Sequence, residues 1–443
     1  MNPPKKVQLL SPAGNLKKLK IALAYGADAV YGGVSHFSLR SRAAKEFRFE
    51  DFAEGVKYAH NLGKKVFVTI NGFPFNSQLK LLESHIEKMA SLKPDAFIVA
   101  AIGVLKLAQK IAPHIPIHLS TQANVLNVLD AQSYYEMGVK RIVAAREMSL
   151  KDAIEIKKHL PELELEIFVH GSMCFAFSGR CLISALQSGR MPNRGSCAND
   201  CRFDYEYFVR NVENDELIKF DGKEFYVKNP DNGAMMRLEE TEGLGTHIFN
   251  SKDLNLSGHI HEILDSGVIN ALKIEGRTKS DYYAGITARA YRAAIDDYYK
   301  GEKREAFYAH ELNTLKNRGF TSGYLISRPY EKNNTQNHLS AISEGSYQVN
   351  AEVLENGEWA ICKHTIMQGE AKEIVLPFGQ DVACGRSELG EIYEEDGKKM
   401  MRFDRICLEN GKELTSIHSG NTNAFKLPLP LPAFSFLRQR QDS

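Results

Sequence analysis

Seven short apolar runs, each followed by a stretch with helical spacing, fill the first 170 residues. The runs are Val7–Leu10, Ala29–Tyr31, Lys65–Ile70, Ala96–Val99, Ile117–Leu119, Arg141–Val143 and Leu163–Val169. Most are rich in Val and Ile, as strands buried on both faces should be. Between them apolar residues recur every three or four positions, as in Leu16, Leu19, Leu23 and in Leu81, Leu82, Ile86, Met89. Asn15 and Ser149 stand where helix N-caps belong, and Gly26, Gly63 and Gly138 where helices end before the next strand. Such alternation requires a parallel sheet, and this many units in one run favours a closed barrel over a doubly wound sheet. Two later runs, His247–Asn250 and Ala271–Ile274, and a helix from Ser280 to about Tyr299 complete the pattern. That gives nine strand candidates for eight places, so one is an extra strand or no strand at all.

The pattern breaks at about 203–246, a polar stretch with turn signals at Asp221-Gly222 and Asn232-Gly233, which reads as an insertion. From about Glu344 the character changes again. Asn356-Gly357, Asp396-Gly397 and Asn410-Gly411 separate alternating runs such as Tyr347–Val353 and Trp359–His364, the signature of hairpins. The expected fold class is α/β: a TIM-like (β/α) barrel over 1–330 with an inserted segment, a polar linker at 331–343, and a small C-terminal antiparallel β-barrel domain over 344–443.

Composition bears on partners. Of 443 residues, 56 are Lys or Arg and 55 Asp or Glu, so the net charge is +1. No global field steers this chain onto nucleic acid or an acidic membrane, and any RNA contact must come from a local patch. With 43% hydrophobic and 25% charged residues, disordered, collagen-like and disulfide-scaffold chains are excluded. The longest apolar run, Ala96–Leu105, is about half the ~20 residues that span a bilayer. No segment near Met1 has the apolar length of a signal peptide. A cytoplasmic location without membrane contact is expected, with its cysteines free to serve metal or redox chemistry.

In a barrel of this type the loops after the strands form the active face. Here those positions hold Ser11, Gly32-Gly33, Asn71, Ser120-Thr121-Gln122, Arg146-Glu147, His170, the stretch 250–253, and Glu275-Gly276-Arg277. Turns are polar in any protein, but charged groups directly abutting apolar strands mark His170 and Glu275 as candidate catalytic residues. Arg146, Glu147, Arg277, Asn71 and Gln122 are the candidate substrate ligands.

Four of the seven cysteines, Cys174, Cys181, Cys197 and Cys201, fall within 28 residues. Random scatter would put roughly half a cysteine there. Four thiolates suit a tetrahedral zinc or an iron–sulfur cluster, and the spacing alone does not choose between them. The remaining three, Cys362, Cys384 and Cys407, read as core residues of the β-domain. Arg180, Arg190, Arg194 and Arg202 stand near the four thiols against Asp200 alone, a phosphate-contacting rim or a solvated basic loop. Arg438 and Arg440 form a weaker basic spot. The chain has no dinucleotide fingerprint, no phosphate-binding Walker loop and no serine nucleophile elbow.

Around the first two cysteines the sequence reads Glu166-Ile167-Phe168-Val169-His170-Gly171-Ser172-Met173-Cys174, then Gly179-Arg180-Cys181-Leu182-Ile183-Ser184. This resembles the signature of peptidase family U32. Leu10–Asn15, Gly26–Tyr31, Asn250–Leu254 and Lys273–Arg277 are also similar to that family, so the resemblance runs along nearly the whole chain. The family name records a collagenase-like protease assignment, while better-supported members carry out oxygen-independent hydroxylation of tRNA, ribosomal RNA or quinone precursors. By length and its single C-terminal β-domain, this chain is most similar to the tRNA branch.

The resemblance implies conversion of the wobble uridine of tRNA to 5-hydroxyuridine, prephenate as co-substrate, and a [4Fe-4S] cluster on the four cysteines, with zinc as the alternative. Prephenate carries two carboxylates, which pair naturally with arginine. Arg146 and Arg277 are the candidates and Arg40 and Arg42 the reserves. His170 is placed to move a proton. Two other functions compete: a collagenase-like protease and a zinc-stabilised RNA-binding protein.

Overall fold

The computed structural model describes residues 6–34, 37–39, 47–174, 176–202, 208–219, 225–228, 230, 233, 235–238, 251–327, 345–420 and 423–441. Eight parallel strands close a barrel: β1 (Gln8–Pro12), β2 (Ala29–Gly32), β3 (Lys65–Ile70), β4 (Ala96–Val99), β5 (Ile117–Leu119), β6 (Arg141–Val143), β7 (Glu164–Ser172) and β8 (Ala271–Ile274). Closure is made by β8, which pairs in parallel with β1 (Gln8↔Ala271) and with β7 (Ala271↔Glu166).

The expected signals act where the sequence puts them. Asn15 accepts a hydrogen bond from the Lys18 amide (2.8 Å) and starts α1 (Leu16–Ala24). Ser149 and Asp152 form a reciprocal capping box on the helix Leu150–His159. Gly26, Gly63 and Gly138 all have positive φ, the conformation that ends a helix.

One strand that the sequence did not offer is added to the barrel. Asp253–Asn255 runs antiparallel to the end of β7 (Asp253↔Ser172) and parallel to Phe320–Thr321. The candidate strand at His247–Asn250 lies outside the described residues, as do Arg40, Arg42 and the linker 331–343. In the inserted region the described residues form two hairpins, Phe208–Arg210 with Leu217–Lys219, and Phe225–Lys228 with Met235–Leu238.

The expected antiparallel β-domain contains an eight-stranded sheet and its own apolar core. Asp396 and Gly397 both have positive φ between Gly390–Glu395 and Lys398–Phe403, the geometry of a tight two-residue hairpin. The sheet is seated on the barrel's helix layer. Tyr25 of the loop after α1 donates to the carbonyl oxygens of Val375 and Phe434 (3.0 and 3.1 Å), and Phe436 packs edge-on to Tyr282 of the long helix Asp281–Lys300.

Two sequence expectations fail here. Arg438 is not a surface charge: at 1% exposure its guanidinium donates to Tyr282, Glu311 and Glu373 and ties the sheet to two barrel helices. Cys362 is buried in the second core, but Cys384 is exposed and Cys407 half-buried. Among the described residues no helix is long and apolar enough to cross a membrane.

Candidate active site at the barrel mouth

The barrel interior is divided. One sector is an apolar cluster of Leu10, Ala29, Tyr31, Phe67, Ala96 and Ile98. The other holds charge: Glu166, fully buried, accepts from Lys273 Nζ at 2.7 Å and from Arg141 Nη1 at 3.1 Å. Arg141 also holds Glu164 at 2.7 Å and Gln8 at 2.8 Å. Buried charges survive only when paired and hydrogen-bonded, and this network pairs each of them. The two basic partners outweigh burial, so the Glu166 carboxyl titrates below its ordinary value.

Above this network, where the strands end, lies a cavity of about 80 Å3. Larger hollows of about 440 Å3 at the opposite end of the barrel and about 650 Å3 beside the C-terminal sheet are not lined by the strand C-terminal ends, where this fold does chemistry. The mouth cavity gathers Asn71, Gln122, Arg146, Glu275, Arg277 and Cys174. Five of the seven non-cysteine site residues expected from sequence therefore meet one of the four cysteines.

Their roles are unequal. Arg277 is spent on structure: it donates to Ser38 (2.6 Å), Thr69 (3.1 Å) and the Leu39 carbonyl. Asn71 is likewise engaged, accepting from the Leu39 amide at 3.1 Å and donating to Ser120 at 3.3 Å. Arg146 is held more loosely, 3.5 Å from Glu275 and with its guanidinium carbon 4.1 Å from the Phe168 ring centroid. That leaves Arg146 the better placed of the two arginines to turn to a ligand carboxylate.

Two expected residues are not in the cavity. Glu147 accepts from the Ser178 amide at 2.9 Å and anchors the cysteine segment. His170 is turned away by a bulge. Across the β7–β8 pair Lys273 faces Phe168 and Ile274 faces His170, so Val169 is unmatched. Simple alternation would have sent His170 inward with Glu166 and Phe168; the extra residue turns it outward with Ile274. There the imidazole lies among the rings of Tyr283, Tyr291 and Phe320, and burial depresses its pKa to about 4. Its contribution to the mouth is through its backbone, whose carbonyl accepts from the Glu275 amide at 2.9 Å. Gly171 follows at φ +108°, and a Cβ there would lie 2.4 Å from the Glu275 carbonyl.

Sequence reasoning missed Lys273, which lines the cavity from below, 4% exposed. A signal existed: a lysine inside the apolar run Ala271–Ile274 puts a charge at an inward position.

The described residues of the cysteine segment, 173–174 and 176–202, cover one side of the mouth. The segment is seated on the turn after β5, where Gly179 (φ +78°) comes so close that a Cβ would meet the Gln122 carbonyl at 2.7 Å. On the far side Arg194 donates to Gln78 at 2.9 Å and stacks 4.1 Å from the exposed Phe75 ring. Within the segment Ser184 bridges Asp200, the Ala198 amide (3.0 Å) and Cys197 (3.8 Å).

All four thiols are free of disulfides. Burial raises the pKa of Cys201, and Cys174, Cys197 and Cys181 add to the shift; Cys181 is raised by burial and by Cys174, Cys197 and Asp200. Cys181 and Cys201 thus sit in a neighbourhood shared with the other two thiols where their own ionisation is opposed, a condition that a bound cation reverses. Among the described residues no three Cys, His, Asp or Glu side chains converge tightly enough to ligate one ion. The donor set fits a thiophilic centre in type and neighbourhood, and ligation requires the segment to draw the sulfurs together.

The site thus belongs to a (β/α) barrel with a mouth cavity edged by a thiol-bearing segment. The family model for peptidase family U32 matches residues 14–335, and the chain belongs to that family. It is 68% identical over 432 residues to tRNA hydroxylation protein P of Helicobacter pylori, covering 98% of both chains. It is 37% identical to the Escherichia coli protein of the same name, over 84% of this chain and 87% of that one. A Porphyromonas gingivalis collagenase is 28% identical over 72% of this chain and 74% of its own.

Proposed function

We propose that this protein is a tRNA hydroxylation enzyme that converts the wobble uridine to 5-hydroxyuridine without molecular oxygen, using prephenate in the mouth cavity and a [4Fe-4S] cluster held by Cys174, Cys181, Cys197 and Cys201. The observation that carries this reading is the near-full-length identity to proteins named for tRNA hydroxylation. The meeting of Cys174 with Arg146 and Glu275 at one cavity supports it. When bound, the cluster supplies one-electron transfer.

The protein's own residues do the rest. Arg146 turns from Glu275 to a carboxylate of the co-substrate, while Gln122 at the same cavity supplies a side-chain amide for hydrogen bonding. Arg180 and Arg190 are exposed and Arg194 is half-buried. With the exposed Phe75 ring they offer phosphate contacts and a stacking surface to an unpaired loop of RNA.

The protease reading gains no base from His170, whose side chain faces the rings of Tyr283 and Tyr291 and not the mouth. Two measurements test the proposal. Nucleoside mass spectrometry should show 5-hydroxyuridine lost from the tRNA of a deletion strain, restored by the wild-type gene and not by Cys181→Ser. Anaerobic purification should give a brown protein; a colourless one with stoichiometric zinc would overturn the cluster. Unchanged tRNA in the deletion strain would overturn the function.

A further inference from the structure

One buried amine at the cavity is unused by the mechanism above. Lys273 places Nζ 4.2 Å from the Tyr31 ring centroid and 5.6 Å from that of Phe168, the same ring on which Arg146 rests at 4.1 Å. An amine and a guanidinium are therefore grouped about one ring, at the edge of the mouth cavity. We propose that Lys273 is a nucleophile that captures a 2-oxo acid in the mouth cavity as an imine, with Arg146 holding the acid's carboxylate. Prephenate carries such a 2-oxo acid group. The inference rests on the mouth cavity being the co-substrate site, and not on the hydroxylation that follows.

The surroundings let the amine lose its proton. Glu166 keeps a permanent counter-ion in Arg141, whose guanidinium does not titrate in proteins, so a neutral Lys273 strands no buried carboxylate. Burial lowers the Lys273 pKa and Arg141 pushes the same way, against Glu166 and Glu275. Desolvation beside another cation is a recognised way to activate a lysine toward carbonyls. In the step itself the Nζ lone pair adds to the keto carbon and a C=N bond replaces C=O. The oxygen leaves as water with both amine hydrogens, and nothing is oxidised or reduced.

The test is trapping. The full-length protein, prepared anaerobically, is incubated with pyruvate and borohydride, which reduces an imine to a stable secondary amine. Intact-mass and peptide analysis should find the adduct on Lys273. With lactate, which has no keto carbon, it should fall to background; Lys273→Arg should abolish it and Arg146→Gln should cut it several-fold. No adduct in folded wild-type protein, or an adduct confined to surface lysines, overturns the proposal. So does Lys273→Arg that still restores 5-hydroxyuridine fully to the deletion strain. The deletion strain's own tRNA separates the two readings: if it depends on the gene while trapping fails, the imine alone is wrong.

Discussion

The charge network beneath the cavity makes an asymmetric prediction. In Glu166→Gln the amide cannot balance two cations: Arg141 keeps Glu164, but Lys273 is left facing it with only longer-range help from Glu275. Removing one partner of a buried ion pair costs about 3–5 kcal/mol. In Lys273→Met the carboxylate keeps Arg141 at 3.1 Å, so the loss is that of one charged hydrogen bond, about 1.5–3 kcal/mol. The double variant leaves Arg141 with Glu164 and Gln8 and should fall short of the sum by about 2 kcal/mol, within the range found for contacting residues. Urea unfolding followed by circular dichroism reads this directly. With a slope of about 3 kcal/mol per M, Glu166→Gln should lower the midpoint by about 1 M or more, and Lys273→Met by less. The depressed carboxyl adds a pH signature. Its stabilisation is complete above the ordinary value of 4.5 and lost as pH falls through the lower folded value, so the gap between wild type and Glu166→Gln should narrow in acid. If Lys273→Met is as damaging as Glu166→Gln, Glu166 does not depend on Arg141 as argued, and the case for a readily neutralised lysine fails with it.

Two further outcomes follow from corrected residues. Arg438→Met should cost about 3–5 kcal/mol, because Glu311 and Glu373 lose their shared buried partner, yet leave the salt dependence of tRNA binding unchanged; a reduced salt slope would put Arg438 on the RNA. His170 has a folded pKa of about 4 against an ordinary 6.5, so the unfolded chain takes up a proton that the buried ring refuses. Wild-type stability should therefore decline by up to about 3 kcal/mol as pH falls through that window, and His170→Gln should flatten the decline. Urea midpoints at about pH 7 and about pH 4.5 check this, with 5-hydroxyuridine formation per folded molecule remaining near wild type if His170 has no chemical role.

The barrel was legible because its signals are local. An apolar run, a capping side chain and a positive-φ glycine each act within a few residues, so β1 to β6 and their helices lie close to where the sequence puts them. The mouth cavity was legible for a related reason: position after a strand fixes which end of the barrel a residue reaches. What the sequence concealed was orientation. Glu147 and Arg146 are adjacent, yet one enters the cavity and the other anchors the cysteine segment, a choice made by where Ser178 comes to rest. Arg438 looked like surface because nothing in its own strand announces the two carboxylates that arrive from Glu311 and Glu373.

The same bulge that removes His170 from the chemistry also organises the mouth. By turning β7 at Val169 it brings the His170 carbonyl to the Glu275 amide and puts Gly171 against the Glu275 carbonyl, fixing the carboxylate that steadies Arg146. It also directs the chain past Ser172 toward Cys174, which reaches the cavity edge only two residues beyond the strand. A regular β7 would point a histidine into the cavity and carry the first thiol off in another direction. The extra residue thus trades an imidazole for a thiol at the mouth, the exchange that the proposed cluster at this site requires.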